Sequence, residues 1–273
     1  MMLRRNLINK SSTTLLRNLK LTDLKCLSTA IPEATNSFQH DFAEHHCPTN
    51  FWQRSVLTVG SAALSIINPH RGDMIACLGE TTGEGALKYM KKQMEQSKEG
   101  IQILKEQPRI NTKTVNLNYL QNLPHDTLGY AYYRFLEVNQ VTPDSRMTVQ
   151  FIDDIELAYV IQRYREVHDL IHTILQMPTN MLGEVTVKWV EALQFKLPMC
   201  ISGAIFGPVR LKTNHRNLYL KHYLPWAIRT GTNAEFLLNI YFEKRWEQKL
   251  DDFYREVNIE PLVLEKKSDK MFK

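Results

Sequence analysis

The chain has 273 residues, 43% of them hydrophobic and 23% charged, enough apolar content for one sizeable core without disulfides or repeats. Its four cysteines, Cys26, Cys47, Cys77 and Cys200, are scattered with no C-x-x-C pair, which excludes a disulfide framework and a thiolate zinc site. Six of the 34 basic residues and one of the 29 acids behind the formal charge of +5 fall within residues 1–30, leaving 28 of each sign beyond; this neutral body removes the electrostatic basis for a nucleic-acid binder.

Residues 1–30 carry Arg4, Arg5, Lys10, Arg17, Lys20 and Lys25, are rich in Ser and Thr, and hold Asp23 as their one acid. That composition predicts a mitochondrial transit peptide, because a secretory signal would have a continuous apolar stretch. Residues 31–50, with His40, His45 and His46, have no apolar period and are expected to be a polar linker. An all-α domain is expected over 51–264 and a charged tail over 265–273.

Phe51 to Ile67 predicts a buried or membrane-facing helix. His70 to Gly79 predicts a short apolar turn and Glu80 to Gly85 a loop. From Gly85, Leu87, Met90, Met94, Ile101 and Leu104 predict one long helix stopping near Pro108. Asn111 to Asn118 alternates weakly and is read as extended. Thr127 is placed to cap a helix carrying Leu128, Tyr132, Phe135 and Leu136, and Pro143 centres a turn over 142–146.

Asp153 or Asp154 then caps a helix extending to Met177, with Leu157, Ile161, Tyr164, Ile171 and Leu175 on its apolar stripe. His168 falls in a gap of that stripe and is expected to be buried. Pro178, Thr179 and Asn180 break the helix, and Leu182 to Gln194 restarts one. Met199 to Val209 is divided by Gly203 and Gly207 into a short helix whose expected role is core, and a last helical pair is expected over 234–242 and 244–257. No apolar run approaches the ~20 residues needed to cross a bilayer. Helical periods throughout predict an all-α, single multi-helix domain with a central metal-binding helical hairpin.

The hairpin carries the chemistry. Successive helical residues turn by about 100°, so His168, His172 and Asp169 project at roughly 0°, 40° and 100° and share one arc, while the fold-back aims Glu184 at them. Neutral imidazoles and carboxylates at this spacing suit zinc or a related divalent ion. The alternative from spacing alone is a core histidine, a surface histidine and two capping acids. The H-E-x-x-H of metalloproteases has a Glu general base where this chain has Asp169, which argues against a peptidase.

The segment ELAYVIQRYREVHDLIHTILQMPTNMLGEVTVKWVEALQFKLPMCISGAIFGPVRL, with NPHRGDMIACLGETTG, LPHDTLGYAYYRFL and NIYFEKRWEQKL, closely resembles the ubiquinone biosynthesis proteins of the Coq-four family. The H-D-x-x-H-x11-E spacing and its flanks match together, from about Asn50 to Glu260. The resemblance implies an α-helical protein bound peripherally to the matrix side of the mitochondrial inner membrane, within a multiprotein complex of coenzyme Q biosynthesis proteins. It also implies a metal site at His168, Asp169, His172 and Glu184, for which the imidazole and carboxylate donors favour zinc. The implied chemistry is C1 decarboxylation, with or without hydroxylation of the same carbon, of a 4-hydroxy-3-methoxy-5-polyprenylbenzoate. Asp169 is the candidate proton donor to C1 if it is not itself a ligand. The rival reading is a non-catalytic lipid-binding scaffold with a structural metal. The polyprenyl tail calls for contact with a membrane lipid surface, for which Phe51–Ile67 and Met199–Val209 are the candidate segments.

Overall fold

A computed structural model describes residues 37–68 and 71–264; the transit peptide expected over 1–30, the start of the linker and the tail over 265–273 lie outside the described residues. The described residues form one all-α domain, and pairing between extended segments is confined among them to an isolated bridge between Thr127 and Lys249. In chain order the helices are α1 (Ser37–His45), α2 (Phe51–Ile67), α3 (Gly72–Thr82), α4 (Glu84–Met94), α5 (Lys98–Glu106), α6 (Leu117–Gln121), α7 (Leu128–Asn139), α8 (Ile155–Ile174), α9 (Met181–Phe195), α10 (Pro198–Phe206), α11 (Thr213–Leu218), α12 (Leu224–Asn233) and α13 (Leu250–Glu256).

Helix α8 is the axis of the domain. Asp154 starts it by accepting from the backbone N–H groups of Glu156 and Leu157, and every residue from Leu157 to Ile174 is buried. A helix buried all round must have its polar side chains answered by neighbours. Arg163 pairs with Glu243 and donates to the Ile240 carbonyl at 3.1 Å. Arg165 meets Glu80 of α3 at 2.6 Å, and Glu166 accepts from Arg109 at 2.6 Å and from the Ile110 backbone at 2.7 Å. These pairs tie three separate parts of the chain to one helix and set its rotation, and with it the direction in which His168 and His172 face.

Several local expectations are corrected. The linker over 31–50 contains α1, whose Phe38 and Phe42, four residues apart, are buried. Where a turn and a loop were expected, residues 72–82 are one helix, α3, because the hydroxyls of Thr81 and Thr82 bond back to carbonyls one turn earlier and the Glu80 carboxylate accepts from the backbone of Gln150 and Phe151, and Glu84 already begins α4. The single long helix after Gly85 is two, α4 and α5, since the Ser97 side chain caps a new start at Lys98 by accepting from the Gly100 N–H. Asn111 to Asn118 is not extended: Asn111 accepts from Lys113 and Thr114 in a turn, and Asn116 caps α6. The last helical pair reduces to two short 3-10 turns, Leu237–Asn239 and Phe242–Lys244, followed by α13. The segment expected as core is not wholly so, because Ile205 and Phe206 at the end of α10 and Val209 in the turn that follows are exposed.

Candidate metal centre

The hairpin of α8 and α9 is closed by local bonds. Gln176 takes a left-handed conformation, φ 52°, and the Met177 N–H donates to the His172 carbonyl at 2.9 Å. Asn180 caps α9 by accepting from Leu182 and Gly183, both at 3.1 Å. A Cβ on Gly183 would lie 1.9 Å from the Pro178 carbonyl oxygen, so the first turn of α9 reaches this position only with glycine there. The next residue is Glu184.

The turn brings Glu184 Oε1 to 3.4 Å from His172 Nε2 and Glu184 Oε2 to 4.0 Å from His168 Nε2. One ligand atom from each of the three residues lies within 4.8 Å of the others. His172 Nδ1 is 3.1 Å from the Met177 carbonyl oxygen, and His168 Nδ1 is 2.5 Å from Glu191 Oε1. A carbonyl and a carboxylate only accept, so each neutral imidazole carries its proton on Nδ1 and leaves Nε2 bare. Both bare nitrogens therefore face the Glu184 carboxylate, and the buried Nε2 of His172 has no hydrogen-bond partner. Three electron-rich atoms converging without a proton between them suit a cation. Their 3.4 and 4.0 Å separations are close to the ~3.4 Å edge of a tetrahedron with ~2.1 Å bonds.

Burial lowers His168 from the ordinary histidine range against the raising effect of Glu191, which favours the neutral, ligating imidazole. His168 and His172 are 7% and 1% exposed, whereas the Glu184 side chain is 36% exposed, so the group is reached from the Glu184 side.

Asp169 stands apart from this group. It lies about a quarter turn round α8, and its Oδ1 accepts from Arg146 in the segment that leads into α8. Three of the four residues named from sequence thus come together, and the fourth anchors a neighbouring segment. Sequence reasoning passed over Glu191, Lys188 and Arg146. Glu191 is fully buried, and its Oε2 accepts from Lys188 Nζ at 2.6 Å and the Tyr164 hydroxyl at 3.0 Å. The signal was available: Glu184, Lys188 and Glu191 stand at i, i+4 and i+7 on one face of α9.

Residues 43–263 match the model of the family described as Coenzyme Q (ubiquinone) biosynthesis protein Coq4. The chain is 57% identical over 235 residues to a protein of Bombyx mori named Ubiquinone biosynthesis protein COQ4 homolog, mitochondrial, covering 86% of this chain and 91% of that one. It is 50% identical over 262 residues to the protein of the same name from Drosophila sechellia, covering 94% and 98%. The crystal structure of a protein from Nostoc punctiforme superposes with a TM-score of 0.59 at 16% identity, covering 76% of this chain and 97% of that one, a likeness of fold. The family match and these identities over nearly full lengths establish that the chain belongs to the Coq4 family of coenzyme Q (ubiquinone) biosynthesis proteins.

Proposed function

We propose that the protein is a metal-dependent decarboxylase of ubiquinone biosynthesis, removing the C1 carboxyl group of a 4-hydroxy-3-methoxy-5-polyprenylbenzoate. The observation that carries this reading is the convergence of the bare Nε2 atoms of His168 and His172 on Glu184. These three residues would hold a divalent ion, with zinc favoured by the nitrogen and oxygen donor set. A bound ion would supply Lewis acidity toward a carboxylate or phenolate oxygen. The chain's own residues hold both imidazoles in the ligating tautomer, and the half-exposed Glu184 leaves the substrate an approach. The step breaks the bond from C1 to its carboxyl group and puts a proton from solvent on C1, which balances without a further reactant. The hydroxylating version needs O2 and a redox-active ion, which zinc is not.

A closed structural site, the basis of the scaffold reading, would call on Asp169 as fourth ligand. Its engagement by Arg146 favours a site with an open position. Under this reading Asp169 orients Arg146 beside the centre and is neither ligand nor acid.

The substrate's tail and the mitochondrial names of the relatives support a peripheral place on the matrix side of the mitochondrial inner membrane, among other coenzyme Q biosynthesis proteins. No helix among the described residues is long and apolar enough to cross a membrane. Trp52, Val56, Val59 and Ile67 of α2 are each 70% or more exposed, at steps that line one face, and α3 packs against both α2 and α10, whose end carries exposed Ile205 and Phe206. No acid occurs between Glu191 and Glu235, while exposed Lys212, Arg216 and Lys221 follow α10. Apolar surface beside unopposed cations suits a lipid interface. The test of the chemistry is CO2 release from a polyprenyl hydroxybenzoate by protein of known metal content, with and without O2. Turnover that persists in His168→Ala and Glu184→Ala would refute the site.

A further inference from the structure

We infer that Glu191 is a positioning residue that holds the proton of His168 on Nδ1, and that Lys188 keeps Glu191 in the orientation this requires. The inference rests on the metal reading above and concerns how the site is kept ready for a cation. Glu191 lies on α9, two turns beyond Glu184, and is wholly buried against α8. Its two oxygens are divided between two tasks. Oε1 faces His168 Nδ1 at 2.5 Å, while Oε2 takes Lys188 Nζ at 2.6 Å, the Tyr164 hydroxyl at 3.0 Å and the Cys200 thiol at 3.5 Å.

Lys188 reaches this position because α10 passes close to its stem. A Cβ on Gly203 would stand 3.3 Å from Lys188 Cγ, so a larger residue there would crowd the stem. The ammonium supplies the countercharge without which a fully buried carboxylate would be strongly destabilising. It also fixes direction, since an ammonium can only donate and requires an acceptor in front of it.

Glutamine at position 191 exposes this logic. Its oxygen must turn to Lys188, so its NH2 group faces His168 Nδ1, where only a bare nitrogen can receive it. The imidazole proton then moves to Nε2, the atom that points at Glu184, and the site is closed to a cation. Removing Lys188 as well frees the amide to rotate and offer its oxygen to Nδ1–H.

The test compares the full chain, Glu191→Gln and the double variant Lys188→Met/Glu191→Gln. Zinc affinity is measured by competition with a chromophoric chelator, and the His168 tautomer by long-range 15N–1H NMR on metal-free protein at pH 8. We expect His168 to carry Nδ1–H in the wild type and Nε2–H in Glu191→Gln, with zinc binding weakened about 10- to 100-fold, the range for outer-sphere partners of metal-bound histidines. The double variant is expected to regain Nδ1–H and most of the affinity. A residue that served only packing would change thermal stability and leave the tautomer alone. Nε2–H in the metal-free wild type, an unchanged tautomer in Glu191→Gln, or a double variant no better than the single one would each overturn the inference. A wild type that binds no zinc would defeat the metal reading instead, with the tautomer measurement still deciding the role of Glu191.

Discussion

His172 Nε2 and Glu184 Oε1 face each other across 3.4 Å with no proton to share between them, because the Met177 carbonyl holds the imidazole proton on the opposite nitrogen. A lone pair opposed to a carboxylate is an unfavourable contact that a cation turns into a favourable one. Purified protein is therefore expected to retain about one divalent ion per chain after dialysis against buffer. His172→Ala and Glu184→Ala are expected to lose more affinity than the roughly 10- to 100-fold typical of outer-sphere changes, since each removes a donor atom outright. Elemental analysis and a zinc competition titration read both quantities. Wild-type protein that stays metal-free under saturating zinc would sink the assignment.

Much of this centre was legible because helical geometry dictated it. The four-residue step from His168 to His172 and the Pro178 to Asn180 break sufficed to foresee two imidazoles on one face and a carboxylate folding back. The fate of Asp169 was not legible. It depends on Arg146, 23 residues earlier in the chain, and no local period reveals a partner so distant. The partners of the polar side chains in the buried helix were hidden in the same way: Arg163, Arg165 and Glu166 are each buried with a partner 57 or more positions away. The split between α4 and α5 was local and readable, since Ser97 is a capping residue type, but the continuous apolar stripe through Leu87, Met94 and Leu104 masked it.

Arg163 has no solvent exposure, and its charge is opposed by Glu243 alone among the side chains that bond it. Glu243→Ala leaves a buried guanidinium with one carbonyl for company and is expected to cost about 3–5 kcal/mol. Urea denaturation at neutral pH measures this. The double variant Arg163→Met/Glu243→Leu is expected to recover most of the loss, because it removes the stranded charge rather than re-pairing it. A single variant within 1 kcal/mol of the wild type, on the order of an exposed pair, would show that the pair contributes nothing.

Burial pushes the Cys200 thiol up to about 12 and also raises the Tyr164 hydroxyl, with Glu191 reinforcing both. The folded protein thus keeps a proton on Cys200 that the unfolded chain releases near its ordinary value of 9.0. For a group raised in this way, the stabilising contribution is complete below the unfolded value and is lost as pH rises from there toward the folded one. The urea midpoint is expected to fall between pH 9 and pH 11, and Cys200→Ala should flatten part of that decline. Iodoacetamide at pH 8.5 should leave Cys200 unmodified in native protein and label it in urea, as peptide mapping would report. Rapid native labelling would contradict the buried, protonated thiol.

Trp52, Val56, Val59 and Ile67 form an exposed apolar row on α2 that no part of the described chain covers, whereas Arg54 turns inward to the carbonyls of Glu80 and Thr81. The helix therefore shows solvent its apolar side and spends its single charge on the fold, the reverse of an ordinary surface helix. If this row enters a lipid interface, burying each valine contributes about 1.5–3 kcal/mol, and a charge in its place also forfeits the lipid environment. Val56→Asp and Val59→Asp are each expected to lower binding to liposomes by roughly tenfold or more. Their thermal stability should stay near that of the wild type, because neither side chain packs against the core. Liposome flotation with neutral and anionic vesicles reads the outcome. A stronger response to anionic vesicles would add Lys212, Arg216 and Lys221 to the same surface. Folded variants that float as well as the wild type would leave the row without a lipid role and return the membrane contact to the end of α10.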